Sequence, residues 1–289
     1  MALFRRSWRL SIQVENAVKT YQEISAGDIS LKIDFDITSK TASYSEGSIT
    51  IYNLTKNDMY YLASSAQVGV NGIFKQNKCE LECGYNGNLA IVLSGNIYEV
   101  SCDFLSADKK ITLKVRGNIE KNFTGDIAIS LKGNVGLKAI CTELANKLGL
   151  QLDFDSAISD RNASGYSFLG RGANMLNELR AMHSDLYFFI SEDGETLKVQ
   201  PKENASKKSE IALSEDSGLI GIPTPNQFGL NATSLLNPAL KVGGWIKLES
   251  TQITQYNGLW YIREVKHKGT NQGNDWLSVL SLSKNIMKA

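Results

Sequence analysis

The chain has 289 residues, with 31 Lys+Arg against 30 Asp+Glu and 42% hydrophobic residues. Near-neutral charge argues against a protein that holds duplex DNA by bulk electrostatics, and the apolar content argues against disorder. A chain this long buries roughly 75% of its unfolded surface, enough for one large domain or two to three small ones.

No segment is expected to insert stably in a membrane. The densest apolar run, Leu186-Tyr187-Phe188-Phe189-Ile190, is far short of the ~20 residues a spanning helix needs. The first ten residues carry Arg5, Arg6 and Arg9 with no apolar h-region after them, so no secretory leader is expected and maturation in the cytoplasm is.

The first 120 residues read as antiparallel β. Trp8, Leu10, Ile12 and Val14 alternate with polar residues, and so do Ile29, Leu31, Ile33, Phe35 and Ile37 over 28–37. A period of two marks a strand with one wet face. A short helix is expected near 57–66. Cys79, Leu81, Cys83 and Tyr85 form another strand, ended by the turn Tyr85-Asn86-Gly87-Asn88. A strand over 89–100 is expected to be interrupted at Gly95, and Ile111, Leu113 and Val115 give one more. Strands of this kind suggest a barrel or sandwich.

The middle changes period. Leu137, Ile140, Cys141, Leu144, Ala145 and Leu148 make a helical stripe, with Gly149 suited to the C′ position. A strand follows over 150–154. A second helix over 173–183 carries Met175, Leu176, Leu179 and Met182 on one face. Strands over 186–190 and 196–200 flank the turn Glu192-Asp193-Gly194-Glu195. All four prolines lie after residue 200, and 202–209 reads as a polar linker. Strands over 244–249, 259–266 and 276–282 follow. The fold class is therefore mainly β with an α+β insert. The expected domains are 1–125, 126–205 and 206–289, with antiparallel β-barrel or sandwich modules flanking a small α+β domain.

Catalytic patterns are weak. Gly170-Arg171-Gly172-Ala173-Asn174-Met175 imitates the start of a dinucleotide fingerprint, but Met175 stands where close packing needs Gly or Ala. The ordinary reading is a tight loop capped by Gly172 or Asn174. Acidic residues fall on wet strand faces (Asp34, Asp36, Glu80, Glu82) or in turns. His183 ends a helix, where the dipole favours a cation, and His267 lies in a basic run. Cys79 and Cys83 share a strand face ~13 Å apart, too far for a disulfide, so the four cysteines read as reduced core thiols. No catalytic residue, cofactor or metal site is expected. The five Asn-x-Ser/Thr triplets read as chance. Arg5, Arg6 and Arg9 read as a wet strand face, the functional alternative being electrostatic contact with a partner protein or with passing nucleic acid.

Three ordered stretches carry a resemblance. The first is Ser48-Ile49-Thr50-Ile51-Tyr52-Asn53-Leu54-Thr55, followed by Glu82-Cys83-Gly84-Tyr85-Asn86-Gly87 and Ser94-Gly95-Asn96-Ile97. The second is 166–173 leading into the helix with Leu176 and Leu179. The third runs from Gly218-Leu219-Ile220-Gly221-Ile222-Pro223 through Phe228-Gly229-Leu230 and Ser234-Leu235-Leu236-Asn237-Pro238 to Val242-Gly243-Gly244, with Trp260, His267 and Trp276 beyond. Their order resembles the baseplate hub proteins of contractile-tailed bacteriophages and prophages.

The resemblance implies a virion protein assembled in the host cytoplasm. It implies a homotrimer whose subunits each carry two tail-tube-like modules, giving a pseudo-sixfold ring. Implied partners are the tail tube protein, the central spike protein and other baseplate proteins, with no sequence-specific nucleic acid. The segment 218–243 is long for a plain hairpin and is expected to be an ordered loop packing on a neighbour or on the insert. Phe228, Leu235 and Leu236 are its expected anchors, with Arg5, Arg6 and Arg9 as further interface candidates. The competing readings are a tail-associated peptidoglycan hydrolase and a cell-wall-binding module, the latter using Tyr166, Phe168, Tyr187 and Phe188 of the insert.

Overall fold

The computed structural model describes residues 5–14, 17–22, 31–41, 45–63, 77–105, 108–117, 126–191, 194–202 and 210–284. In the N-terminal region these form β1 (Arg6–Val14), β2 (Ala17–Gln22), β3 (Lys32–Lys40), β4 (Glu46–Tyr52), α1 (Lys56–Ala63), β5 (Lys78–Tyr85), β6 (Asn88–Asp103) and β7 (Lys110–Gly117). Burial alternates along β3, β4, β5 and β7 as the sequence period requires. Residues 28–30 of the expected 28–37 strand lie outside the described residues, and β3 extends past the expected end to Lys40. The β5–β6 hairpin turns on Asn86 (φ 53°) and Gly87 (φ 83°), the paired positive φ values of a type I′ turn.

Gly95 does not interrupt its strand. β6 runs unbroken through it, with bulges at Val92 and Tyr98 instead. Gly95 serves a close approach: a Cβ there would stand 2.6 Å from the carbonyl carbon of Arg116 on β7. The two bulges bend the long strand.

The insert contains β8 (Asp126–Gly136), α2 (Leu137–Leu148), β9 (Gln151–Phe154), β10 (Asn162–Arg171), α3 (Gly172–Met182), β11 (Leu186–Ile190) and β12 (Thr196–Pro201). The α2 stripe is buried as its spacing demands, and Gly149 ends the helix in the left-handed region at φ 66°. β8, whose second half is polar, escaped the sequence reading, as did β2. The tight capped loop expected at 170–175 is absent. β10 passes directly into α3, and the N-cap is Arg171 with no side-chain cap bond.

After the insert come β13 (Glu210–Ser214), β14 (Leu219–Asn226), β15 (Gly229–Leu235), β16 (Trp245–Glu249), β17 (Gly258–Thr270) and β18 (Trp276–Ser283). Most of the expected 218–243 loop is therefore a β14–β15 hairpin, with only the segment after Leu235 irregular. The expected linker lies largely outside the described residues.

One sheet joins the first and last regions. Its hydrogen-bonded order is β14-β15-β18-β17-β3-β4-β7-β6-β5-β1-β2, with β16 and β13 branching from β17. β17 changes partner along its length. Gly258 to Tyr261 pair with β16, and Glu264 to Thr270 pair with β3. The change falls at Arg263, the bulged residue opposite β18. Three cores result. One fills the N-terminal strands and admits Leu236 and Trp276 from the C-terminal region. One lies inside the insert. The third, under β13 to β18, admits Phe189 from the insert.

Side-chain contacts also fasten these parts. Arg6 on β1 donates to the carbonyls of Thr270 (2.7 Å), Gly273 and Asn274 in the β17–β18 turn, so the sheet curls until β1 meets the far end of β3's partner. On the insert side, Tyr187 stacks on Tyr261 at 5.6 Å and the Tyr261 hydroxyl donates to Gln200 Oε1 at 2.8 Å.

Candidate functional site

Among the described residues, the exposed large apolar side chains of the C-terminal region gather on one hairpin. Ile220 (40% exposed) and Ile222 (51%) lie on β14, and Phe228 (52%) lies on the turn to β15. Asn226 builds that turn by accepting the Phe228 N–H at 2.8 Å, an Asx-turn. The Arg263 guanidinium sits 4.0 Å from the Phe228 ring centroid. That cation–π contact is worth about 0.5–1 kcal/mol at an exposed site. β14 is an end strand of the sheet path and carries Pro223 and Pro225, residues that lack a ladder donor and suit an edge.

The sequence-expected interface residues do not form one patch. Phe228 is on the hairpin surface. Leu235 is half-buried, with its side chain against Gly218. Leu236 is 1% exposed inside the N-terminal core and its N–H donates to the Trp276 carbonyl at 2.9 Å. Arg6 is spent on the β17–β18 turn. Arg9 forms a bidentate pair with Glu82, and that bond holds its pKa up. Arg5 is exposed and its N–H donates to Asn86 Oδ1 at 3.2 Å. Sequence reading missed Ile220, Ile222 and Arg263. Two prolines within an alternating stretch were the available signal for an edge strand.

Nothing in the thiols suggests a nucleophile. Burial pushes all four upward, Cys141 to about 12, so they stay protonated. Among the described residues no group of three or more His, Cys, Asp or Glu could hold a metal. His183 does not behave as a dipole-favoured cation. Partial burial and the neighbouring Arg161 push its pKa down, and Asp185 only partly opposes them.

His267 is fully buried and hydrogen-bonds Ser278 at 2.9 Å across the β17–β18 ladder. Ser278 also accepts the Asn237 N–H at 3.0 Å, so the pair is a structural link rather than a solvent-reached nucleophile and base. Burial, reinforced by the charge of Lys241, lowers the His267 pKa to about 4. The folded chain therefore binds fewer protons than the unfolded chain between about pH 6.5 and 4. This contribution is fully present above the unfolded pKa and is lost as pH falls through that window, on the order of 3 kcal/mol at its limit. Urea midpoints measured from pH 7 to pH 4 are expected to fall less steeply for His267→Gln than for the parent chain. Parallel curves would contradict the assignment.

The comparisons with known proteins bear on the family and the fold. The family model described as baseplate hub gp41 matches residues 10–280. No curated protein sequence matches the chain. The chain is similar in fold to the 43 kDa tail protein of prophage MuSo2 from Shewanella oneidensis, at 10% identity and TM-score 0.61, covering 96% of this chain and 98% of that one. It is also similar to the tail protein from Neisseria meningitidis MC58, at 11% identity and TM-score 0.61, with 96% of each chain covered. A third similar structure is the E. coli c3393 protein, a type VI secretion component described as similar to the T4 tail proteins gp27 and gp5. There the identity is 9% and the TM-score 0.58, covering 87% of this chain and 73% of that one. With nearly its whole length matched by one family model, the chain belongs to the baseplate hub gp41 family and is a structural component of the phage tail baseplate.

Proposed function

We propose that the chain forms a homotrimeric ring that joins the tail tube to the central spike of a contractile tail. Regions 1–125 and 206–289 serve as two tube-like modules and 126–205 as the insert between them, so three copies imitate six. The tail tube protein, the spike protein and other baseplate proteins are its partners, and assembly takes place in the host cytoplasm. The observation that carries this reading is the single sheet whose main path ends in two unlike strands, β14 and β2, with β13 ending the side branch. A contact between β14 of one copy and β2 of the next is head to tail, and head-to-tail contacts close into rings when the rotation permits.

Pro223 and Pro225 make β14 a poor template for an added strand, so a neighbour would be held there by side chains. Ile220, Ile222 and Phe228 supply apolar surface, and Arg5 and Arg9 are the polar candidates at the opposite end. An obligate ring of this kind needs interfaces of ~2,000 Å² or more. Light scattering of the purified protein is expected to give the mass of three 31.8 kDa chains. The double variant Ile222→Asp with Phe228→Asp is expected to give a single chain with unchanged circular dichroism. A monomeric parent chain would sink the trimer, and a trimeric double variant would sink the hairpin's role.

A further inference from the structure

We infer that the cleft between the insert, the ends of β3 and β4 and the segment before β16 binds a phosphate group, free or carried on a small molecule. The cleft is a cavity of about 420 Å³ in which β9 and β12 face the ends of β3 and β4 and the segment before β16. Its walls hold three lysines, Lys40, Lys198 and Lys241, against one acid, Asp153. The volume falls within the ~300–1,000 Å³ typical of small-molecule sites, too small for a folded partner.

The fold places these charges for reasons independent of assembly. On β12, Leu197 and Val199 sink into the insert core, so Lys198 projects to the opposite face of a period-two strand. Lys241 sits between the buried Leu240 and Val242, which anchor it at the cleft wall. Lys40 is partly engaged with Glu264 at 3.4 Å. Asp153 stands beside Lys198 in the β9–β12 register. The cleft thus keeps a net positive charge suited to a phosphate dianion, for which lysine is an established point-charge partner.

Two buried hydroxyls complete the site. Ser39 and Ser45 both line the cleft and hydrogen-bond each other at 2.8 Å. That bond uses one of their two hydroxyl protons and leaves the other for an oxyanion. Phe189 adds an apolar wall for any organic body attached to the phosphate.

Calorimetric titration of the full chain at constant ionic strength tests the site. The probes are inorganic phosphate, glucose 6-phosphate, glucose and a hexaglutamate peptide. Both phosphate probes are expected to saturate one site, with no heat from glucose. Lys198→Gln and Lys241→Gln are each expected to weaken phosphate binding at least tenfold, with melting temperature and oligomeric mass unchanged. Equal affinity for the two phosphate probes assigns the site to the free ion, and tighter glucose 6-phosphate assigns it to a phosphorylated small molecule. Absence of saturable heat from either phosphate overturns the inference. So do affinities unmoved by both lysine variants, and so does hexaglutamate binding tighter than phosphate, which would make the cleft a protein-docking groove.

Discussion

Trp276→Ala is expected to destabilise the chain by about 3–5 kcal/mol, the range for removing a fully buried large aromatic. Trp276 is 1% exposed and belongs to β18, yet its ring lies in the N-terminal core. It meets Phe35 of β3 edge-on, with centroids 5.3 Å apart. Gly269 on the neighbouring strand makes room for both rings, since a Cβ there would collide with the Phe35 ring and stand 2.7 Å from the Trp276 ring. The Arg6 guanidinium lies over the same indole at 5.8 Å. One side chain thus ties β1, β3, β17 and β18. Urea denaturation should show a lower midpoint with an unchanged slope. The indole N–H has no hydrogen-bond partner among the described residues. Trp276→Phe should therefore cost well under half as much, because it forfeits ring area and no hydrogen bond. Equal losses for Ala and Phe would show that the cavity is not what matters.

Gly243→Ala should loosen the insert from the C-terminal strands. Gly243 has φ +80°, so any side chain brings roughly 1–3 kcal/mol of backbone strain. A Cβ would also collide with the Phe189 ring and lie 2.9 Å from Gln200 Oε1. Those two residues fasten the insert: Phe189 enters the C-terminal core and Gln200 accepts from Tyr261. Hydrogen exchange of β11 and β12 should quicken in the variant more than exchange of β4 and β7, which are held by their own pairing within the main sheet. A second substitution, Phe189→Leu, should recover part of the loss by removing the collision while leaving the strain. Full additivity of the two changes would argue against contact through Phe189.

Much of the local structure was legible because it depends on period. The stripe of α2, that of α3 except for Met182 (expected on its apolar face but exposed at the helix end), the alternation along β1, β3, β5 and β7, and the Asn86-Gly87 turn all follow from which residues are apolar and which tolerate positive φ. Gly95 was misread because a glycine in a strand signals a close approach as readily as a break, and the approaching group, the Arg116 carbonyl, comes from β7. β8 was missed because its outer half is polar, and it is held by pairing with β10 rather than by its own pattern. The 218–243 segment was misread as a loop because its glycines and prolines mask a hairpin whose bulge lies between Ile220 and Thr224.

The candidate surface was legible only in part. Phe228, expected as an anchor of an ordered loop, stands exposed on the β14–β15 turn, while Leu236, adjacent to Leu235 in sequence, lies buried in the opposite core. Sequence neighbours can be separated this way because the chain leaves the sheet at Leu235 and its next side chain packs against another region. The Arg263–Phe228 contact depends on a bulge in β17 that no local pattern announces.

By itself the sequence determined the β-rich class, the α+β insert, the near-neutral charge and the ordered motifs of the hub family, since each is carried by residue type and spacing. Only the tertiary structure decided that the two β regions share one sheet through β3 and β17, that Trp276 and Leu236 serve the distant core, and that three lysines from separate segments line one cleft. Those outcomes rest on pairings between residues far apart in the chain, where backbone hydrogen bonds are alike for every residue and only the packed whole selects the partner.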